Sequence, residues 1–92
     1  GITLTTALLS LFLNKKVPSD IAFTGEITLK GKILPIGGLK EKSIGALRSG
    51  IKKIYIPSQN KNDLDELPNE VKKNIEFILV SNYKDIYKEL FK

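Results

Sequence analysis

The sequence predicts a small α/β domain in which a β-hairpin is followed by αβ units. Three observations carry that expectation. Two short runs of strand type, Lys53 to Ile56 (KIYI) and Glu76 to Val80 (EFILV), each follow a segment of helical character. Successive αβ units of this kind favour parallel pairing in the second half of the chain. Upstream of them, an alternating apolar and polar stretch turns back at Lys30-Gly31-Lys32, the pattern of strands with one face buried. Finally, 92 residues of 41% hydrophobic and 27% charged composition suit one globular unit with a thin core and leave no room for two.

In chain order, residues 2–13 (ITLTTALLSLFL) are apolar on nearly every side and contain no turn signal, so they predict a buried helix. Strand character in Ile2, Leu4 and the threonines is the competing reading. Asn14-Lys15-Lys16 ends the run, and Pro18-Ser19-Asp20 is a turn. Ile21, Phe23, Ile27 and Leu29 then share one parity, and Ala22, Thr24, Glu26, Thr28 and Lys30 share the other. The returning strand is Ile33-Leu34, which Pro35 confines to an edge or terminates. Gly37-Gly38 hands the chain to a helix from about Leu39 to Ser49, stopped by Gly50. Between the two αβ strands, Asn60 to Leu67 reads as a polar turn with a short helical piece, and Pro68-Asn69 opens a helix to about Lys73. Ser81 or Asn82 caps a last helix ending near Leu90. There Tyr83, Tyr87 and Phe91, four residues apart, mark an inward face.

Composition removes whole classes of chemistry. The chain has no His, Cys, Met or Trp. A His-based triad, a thiol nucleophile, a disulfide and a zinc site of the usual His/Cys kind are therefore excluded. Hydroxyls, carboxylates and amines remain. The longest apolar stretch, Ala7 to Leu13, is interrupted by Ser10 and falls far short of the roughly 20 residues of a membrane span. It lacks the basic region and cleavage site of a signal peptide. Opening on Gly1-Ile2-Thr3, the chain reads as a piece of something longer.

The +5 net charge would favour an anionic partner such as RNA. Against that, the lysines are spread along the chain, one Arg is present, and the aromatics sit beside apolar residues. Nucleic acid is not an expected partner. Asp63, Asp65 and Glu66 are acidic enough to attract a divalent ion, but their pattern is that of a solvated turn, and no metal site is expected.

Most of the functional signal lies between Phe23 and Lys42, in FTGEITLKGKILPIGGLKEK. Two glycine clusters and a hairpin lead into a helix whose first turns carry Lys40, Glu41 and Lys42. A glycine pair before a helix can cradle an anion. The longer glycine-rich stretch and Gly-Lys-Ser/Thr of a phosphate-binding loop are missing, so a tight strand-to-helix turn is the better reading. On a helical wheel, Leu39, Ser43, Ala46, Leu47 and Gly50 form the core arc. Lys40 falls inside it, its stem lying over the core edge, while Glu41 points away. Lys42 shares the other flank with Gly38, Gly45 and Ser49, where small residues leave room for a second backbone to approach. Periodicity does not choose between Lys40 and Lys42.

The run TGEITLKGKILPIGGLKEK, Thr24 to Lys42, closely resembles the proteolytic domain of the ATP-dependent Lon proteases. The likeness continues upstream through Gly1-Ile2 and TALLS, and downstream through Gly50-Ile51, IYIP, Asn60 and Asp63-Leu64. It implies a Lon-type proteolytic domain of the ribosomal-protein-like α/β superfamily, with residues 1–92 as its C-terminal portion. It also implies a Ser-Lys dyad in which Lys42, the second Lys of Lys-Glu-Lys, is the base. The nucleophile belongs to a Ser-Ala-Gly sequence whose glycine is Gly1, so the serine is expected two positions before this chain. The upstream strands are missing with it, and the chain alone is expected to be inactive. Ser10, Ser19, Ser43 and Ser49 match nothing catalytic in the pattern.

Thr24 stands where the family has a threonine beside its dyad, and Gly1 and Ile2 would open the helix that the serine begins. Glu26, two residues beyond Thr24, is a plausible polar neighbour without a catalytic role. A lysine base must be neutral, so its amine has to fall several units from about 10.4. Lowering it to about 8 costs roughly 3 kcal/mol. The likeness further implies a homohexamer acting on unfolded or damaged proteins. ATP and magnesium belong to an ATPase domain absent from these residues, and no cofactor is expected here. Relatives work in the mitochondrial matrix and in bacterial cytoplasm.

Overall fold

The two runs of strand type form neighbouring parallel strands. The computed structural model describes Thr6 and residues 20–90. Its elements are β1 (Ile21–Phe23), β2 (Glu26–Ile27), β3 (Ile33–Leu34), α1 (Leu39–Arg48) and β4 (Lys53–Pro57). A 3-10 helix (Ser58–Glu66), α2 (Asn69–Asn74), β5 (Glu76–Val80) and α3 (Tyr83–Leu90) complete them. The expected helix over residues 2–13 lies outside the described residues apart from Thr6, which is helical and buried. Phe91 also lies outside them.

A three-stranded sheet has the order β1-β4-β5, parallel throughout, with Phe23 opposite Tyr55 and Tyr55 opposite Ile78. β4 is the middle strand and is buried on both faces from Ile54 to Pro57, as a parallel strand covered on two sides should be. Alternation along it builds two cores. Ile54 and Ile56 face one way and join Leu39, Leu67, Val71 and Ile75, the contributions of α1, α2 and the loop beside it. Tyr55 faces the other way, with Ile33, Val80 and Ile86 from the hairpin, β5 and α3. Tyr55 also stacks on Phe23, ring centroids 5.4 Å apart.

The alternating stretch after Asp20 divides where parity alone showed one pattern. Gly25 has φ 130, a conformation costly for any residue with a Cβ, and it ends β1. Beyond it, β2 leaves the parallel sheet and pairs antiparallel with β3, Ile27 opposite Ile33. Leu29, of the same parity as Ile21 and Phe23, is thereby placed in the turn and is fully exposed. The turn closes through Thr28 N–H donating to Lys32 O at 2.9 Å and Gly31 N–H donating to Thr28 O at 2.9 Å.

Helix α1 ends as a glycine-stopped helix should. Gly50 N–H donates to Leu47 O and Ile51 N–H to Ala46 O, the paired bonds of a Schellman motif. Asn82 caps α3, its Oδ1 accepting from Lys84 N–H at 3.0 Å. The inward face of α3 differs from the four-residue repeat of its aromatics. Ile86 is wholly buried with Tyr83 and Leu90 packed beside it, whereas Tyr87 is exposed. Counted from Tyr83, the inward positions lie three and seven residues on, Ile86 and Leu90, rather than four and eight.

Candidate active site

The chain enters α1 through a loop held by one side chain. Pro35 lacks the N–H that would extend the hairpin ladder, and the ladder stops at Leu34. The backbone of Ile36 then meets Asn60, at the start of the 3-10 helix. Ile36 N–H donates to Asn60 Oδ1 at 3.0 Å, and Asn60 Nδ2 donates back to Ile36 O at 2.8 Å. The amide thus pairs with Ile36 as a neighbouring strand would. Its second donor goes to Asp63 Oδ2 at 2.7 Å, so this buried amide is well satisfied. Asp63, one of the three acidic residues considered for a divalent ion, is therefore occupied in holding Asn60. Among the described residues no group of three His, Cys, Asp or Glu is placed to hold a metal.

Gly38 precedes α1 with φ 71, a left-handed conformation that turns the chain abruptly into the helix. Its carbonyl accepts the N–H of Lys42 at 3.1 Å. Lys42 is exposed on the flank it shares with Gly38, Gly45 and Ser49, all exposed as well. A Cβ added at Gly37 or Gly45 would meet no atom of the described residues within 4 Å, so among those residues open space flanks the lysine on both sides along the chain. The next residue, Ser43, is wholly buried, and its Oγ has no hydrogen-bond partner among the described residues. Lys40 is exposed instead of lying over the core edge, because the buried line of α1 is narrower than the wheel suggested and centres on Leu39 and Ser43. A groove of about 290 Å³ runs past Gly37, Gly38, Lys40 and Glu41 toward Asp63 and Glu66, and Lys42 does not line it.

Thr24 follows the last residue of β1, and its N–H donates to Tyr55 O at 3.1 Å, continuing the parallel register. Alternation places it on the same side of the sheet as Ala22, which packs against the core beneath α1. Thr24, half-buried, and the helix bearing Lys42 thus occupy one face. Gly1 and Ile2 lie outside the described residues, as do Ser10 and Ser19.

Electrostatic perturbation falls on the opposite face. Burial pushes the Tyr55 hydroxyl well above its ordinary value, reinforced by a hydrogen bond to Glu89 and by the charges of Glu89 and Glu76. Burial also raises Tyr83, while its hydrogen bond to Thr6 opposes the shift. Two contacts here gave no signal of their role in the sequence: the Asn60 clamp and the 2.8 Å hydroxyl pair between Thr6 and Tyr83. A lone Asn in a polar stretch and a Tyr on an amphipathic helix have ordinary local explanations.

The sequence model of the Lon protease (S16) C-terminal proteolytic domain matches residues 1–92, the whole chain. The chain belongs to that family. A Lon protease of Metamycoplasma arthritidis is 55% identical over 91 residues, covering 99% of this chain and 11% of the relative. A Lon protease of Mycoplasma mycoides subsp. mycoides is 53% identical over all 92 residues, 12% of its own length. A protein named "Lon protease homolog, mitochondrial" from Candida dubliniensis is 52% identical over 92 residues, 9% of its length. This chain therefore spans about a tenth of the Lon relatives it matches. The small α/β architecture is consistent with that family, and relatives named as bacterial and as mitochondrial Lon proteins both match the chain. No helix of the described residues is long and apolar enough to cross a membrane.

Proposed function

We propose that this domain is the base-bearing part of an ATP-dependent serine endopeptidase that degrades misfolded and regulatory proteins with a Ser-Lys dyad. The observation that carries the reading is the family match across all 92 residues, with Lys42 on an open flank of α1. The superfamily is the ribosomal-protein-like α/β class.

In this mechanism a serine two positions before Gly1 attacks the scissile carbonyl, and the neutral Lys42 amine takes its proton. The ammonium so formed then protonates the leaving amine as the peptide bond breaks. With no His in the chain, an amine is the available base of suitable strength. Lys42 must be dry to be neutral, yet it is exposed over the described residues. The desolvation is supplied by the backbone carrying the serine, for which Gly45 and Gly37 leave space. Thr24 orients the Lys42 amine through its hydroxyl, and the backbone N–H groups at Gly1 and Ile2 help stabilise the oxyanion.

ATP and magnesium act in an ATPase domain elsewhere in the protein, and no residue here holds them. The working form is a homohexamer, its substrates are unfolded or damaged proteins, and neither membrane nor nucleic acid is a partner. The compartment is the mitochondrial matrix or bacterial-type cytoplasm. Replacing Lys42 with Ala in the full-length protein is expected to abolish peptide cleavage and leave ATP hydrolysis intact. Cleavage at the wild-type rate would contradict the assignment.

A further inference from the structure

Helix α1 begins on a weak footing. Gly38 stands at its cap position and supplies no side-chain hydrogen bond to the first N–H groups. Lys42 makes the first bond of the helical ladder, its N–H donating to Gly38 O at 3.1 Å. It therefore closes the turn that an uncapped helix loses first. The far end of α1 is secured separately, by Gly50 N–H donating to Leu47 O and Ile51 N–H to Ala46 O. Gly37 and Gly38 bring no side chain to the core, so the anchor just ahead of the helix is Ile36, which packs on the aliphatic core and is gripped by Asn60.

We infer that Asn60 is a positioning residue for Lys42: by gripping the backbone of Ile36 it fixes the start of α1 and keeps the turn that ends at Lys42 wound. The inference rests on the dyad reading proposed above. Asn60 is 3% exposed and follows β4 closely, so it refers the helix entry to the central strand of the sheet. Its amide can sit only one way round. Ile36 N–H needs an acceptor, and the carboxylate of Asp63 needs a donor, so Oδ1 faces Ile36 and Nδ2 bridges Ile36 O and Asp63 Oδ2. Apolar packing at Ile36 and Leu39 sets the depth of the chain but tolerates sliding along it. Two hydrogen bonds of 3.0 and 2.8 Å do not, because a shift of about 1 Å breaks them. A slip on that scale in the first turn takes the lysine amine out of reach of the hydroxyl it deprotonates. Asn60 acts on Lys42 through the backbone from Ile36 to Lys42.

The test compares full-length wild type with Asn60→Ala, Asp63→Ala, Asp63→Asn and Lys42→Ala, reading peptide cleavage, ATP hydrolysis and amide hydrogen exchange along α1. Asn60→Ala is expected to lower kcat about tenfold with KM and ATP hydrolysis unchanged. Exchange should quicken about tenfold in the peptide spanning residues 39–44, which holds the Lys42 amide, and stay unchanged in the peptide spanning 45–52. Asp63→Ala frees the amide to turn and should show the same pattern at about threefold, whereas Asp63→Asn keeps an acceptor for Nδ2 and should restore kcat to within about twofold. Should Asn60→Ala not fold, the Asp63 pair carries the same comparison. Full kcat and unchanged exchange in Asn60→Ala and Asp63→Ala, beside an inactive Lys42→Ala, overturn the positioning role and leave the dyad standing. Exchange that quickens equally in both peptides marks the clamp as a general stabiliser and also overturns it. Undiminished cleavage by Lys42→Ala overturns the dyad and the inference together.

Discussion

The two faces of the β1-β4-β5 sheet are built from different materials. Beneath α1 the core is aliphatic: Leu39, Ile54, Ile56, Leu67, Val71 and Ile75. One polar clamp, Asn60 on Ile36, fixes the entry to the helix. Beneath the hairpin and α3 the core holds Tyr55 with Phe23 and Tyr83 packed around it, and hydroxyls tie distant segments together. The contrast separates two tasks. The aliphatic face holds the helix that carries Lys42 on a core whose buried residues are all aliphatic. The aromatic face supplies directional bonds, and with them sensitivity to alkaline pH.

The largest expected effect comes from damaging the aliphatic face. Ile56→Ala removes a side chain with no solvent exposure and should cost about 3 kcal/mol of unfolding free energy, measured by denaturant titration of the domain. A cost below about 1 kcal/mol would mean that this face is loosely packed and cannot hold α1 in place. Asn60→Ala should cost about 2 kcal/mol, because it leaves the Ile36 N–H and C=O without their partners. Peptide cleavage in the full-length protein should fall with it if the clamp sets the position of α1. Gly38→Ala is smaller, about 1 kcal/mol. Among the described residues its Cβ meets only Glu41 Oε2, at 3.8 Å, so the cost is the left-handed backbone itself.

The smallest effect belongs to the aromatic face and appears only in base. An unfolded tyrosine ionises near about 10, whereas Tyr55 in the folded domain does so well above that. Below the unfolded value both states keep the proton and the contribution to stability is complete. As pH rises past it, the unfolded state releases a proton that the folded state retains, and stability falls. Melting temperature should therefore decline above pH about 10, and the decline should be shallower in Tyr55→Phe. Equal slopes in the two proteins would show that Tyr55 is not the buried titrating group.

The sequence made most of this architecture legible, and the misses have physical causes. KIYI and EFILV announced β4 and β5 because a parallel strand covered on both faces cannot hide its apolar run. Gly50 marked the end of α1 because the helix needs a residue there that can turn back on itself. Parity failed across Gly25, since period two reports which side a residue faces only while the strand continues. The inward face of α3 followed the sheet beneath it, and the spacing of Tyr83, Tyr87 and Phe91 could not reveal that. Within the site, the flank occupied by Lys42 was readable from Gly38, Gly45 and Ser49. The Asn60 clamp was not, because its partner lies 24 residues away and is backbone, which carries no signature in sequence. The choice of Lys42 over Lys40 came from family resemblance alone, and both lysines are exposed on α1.

That choice is the central claim, and a paired measurement tests it most directly. Lys40→Ala and Lys42→Ala, made in the full-length protein, differ by two positions on one helix and remove the same charge. Turnover of a peptide substrate should vanish in Lys42→Ala and persist near the wild-type rate in Lys40→Ala, with ATP hydrolysis retained in both. Equal turnover in the two variants, or loss in Lys40→Ala alone, would contradict the account.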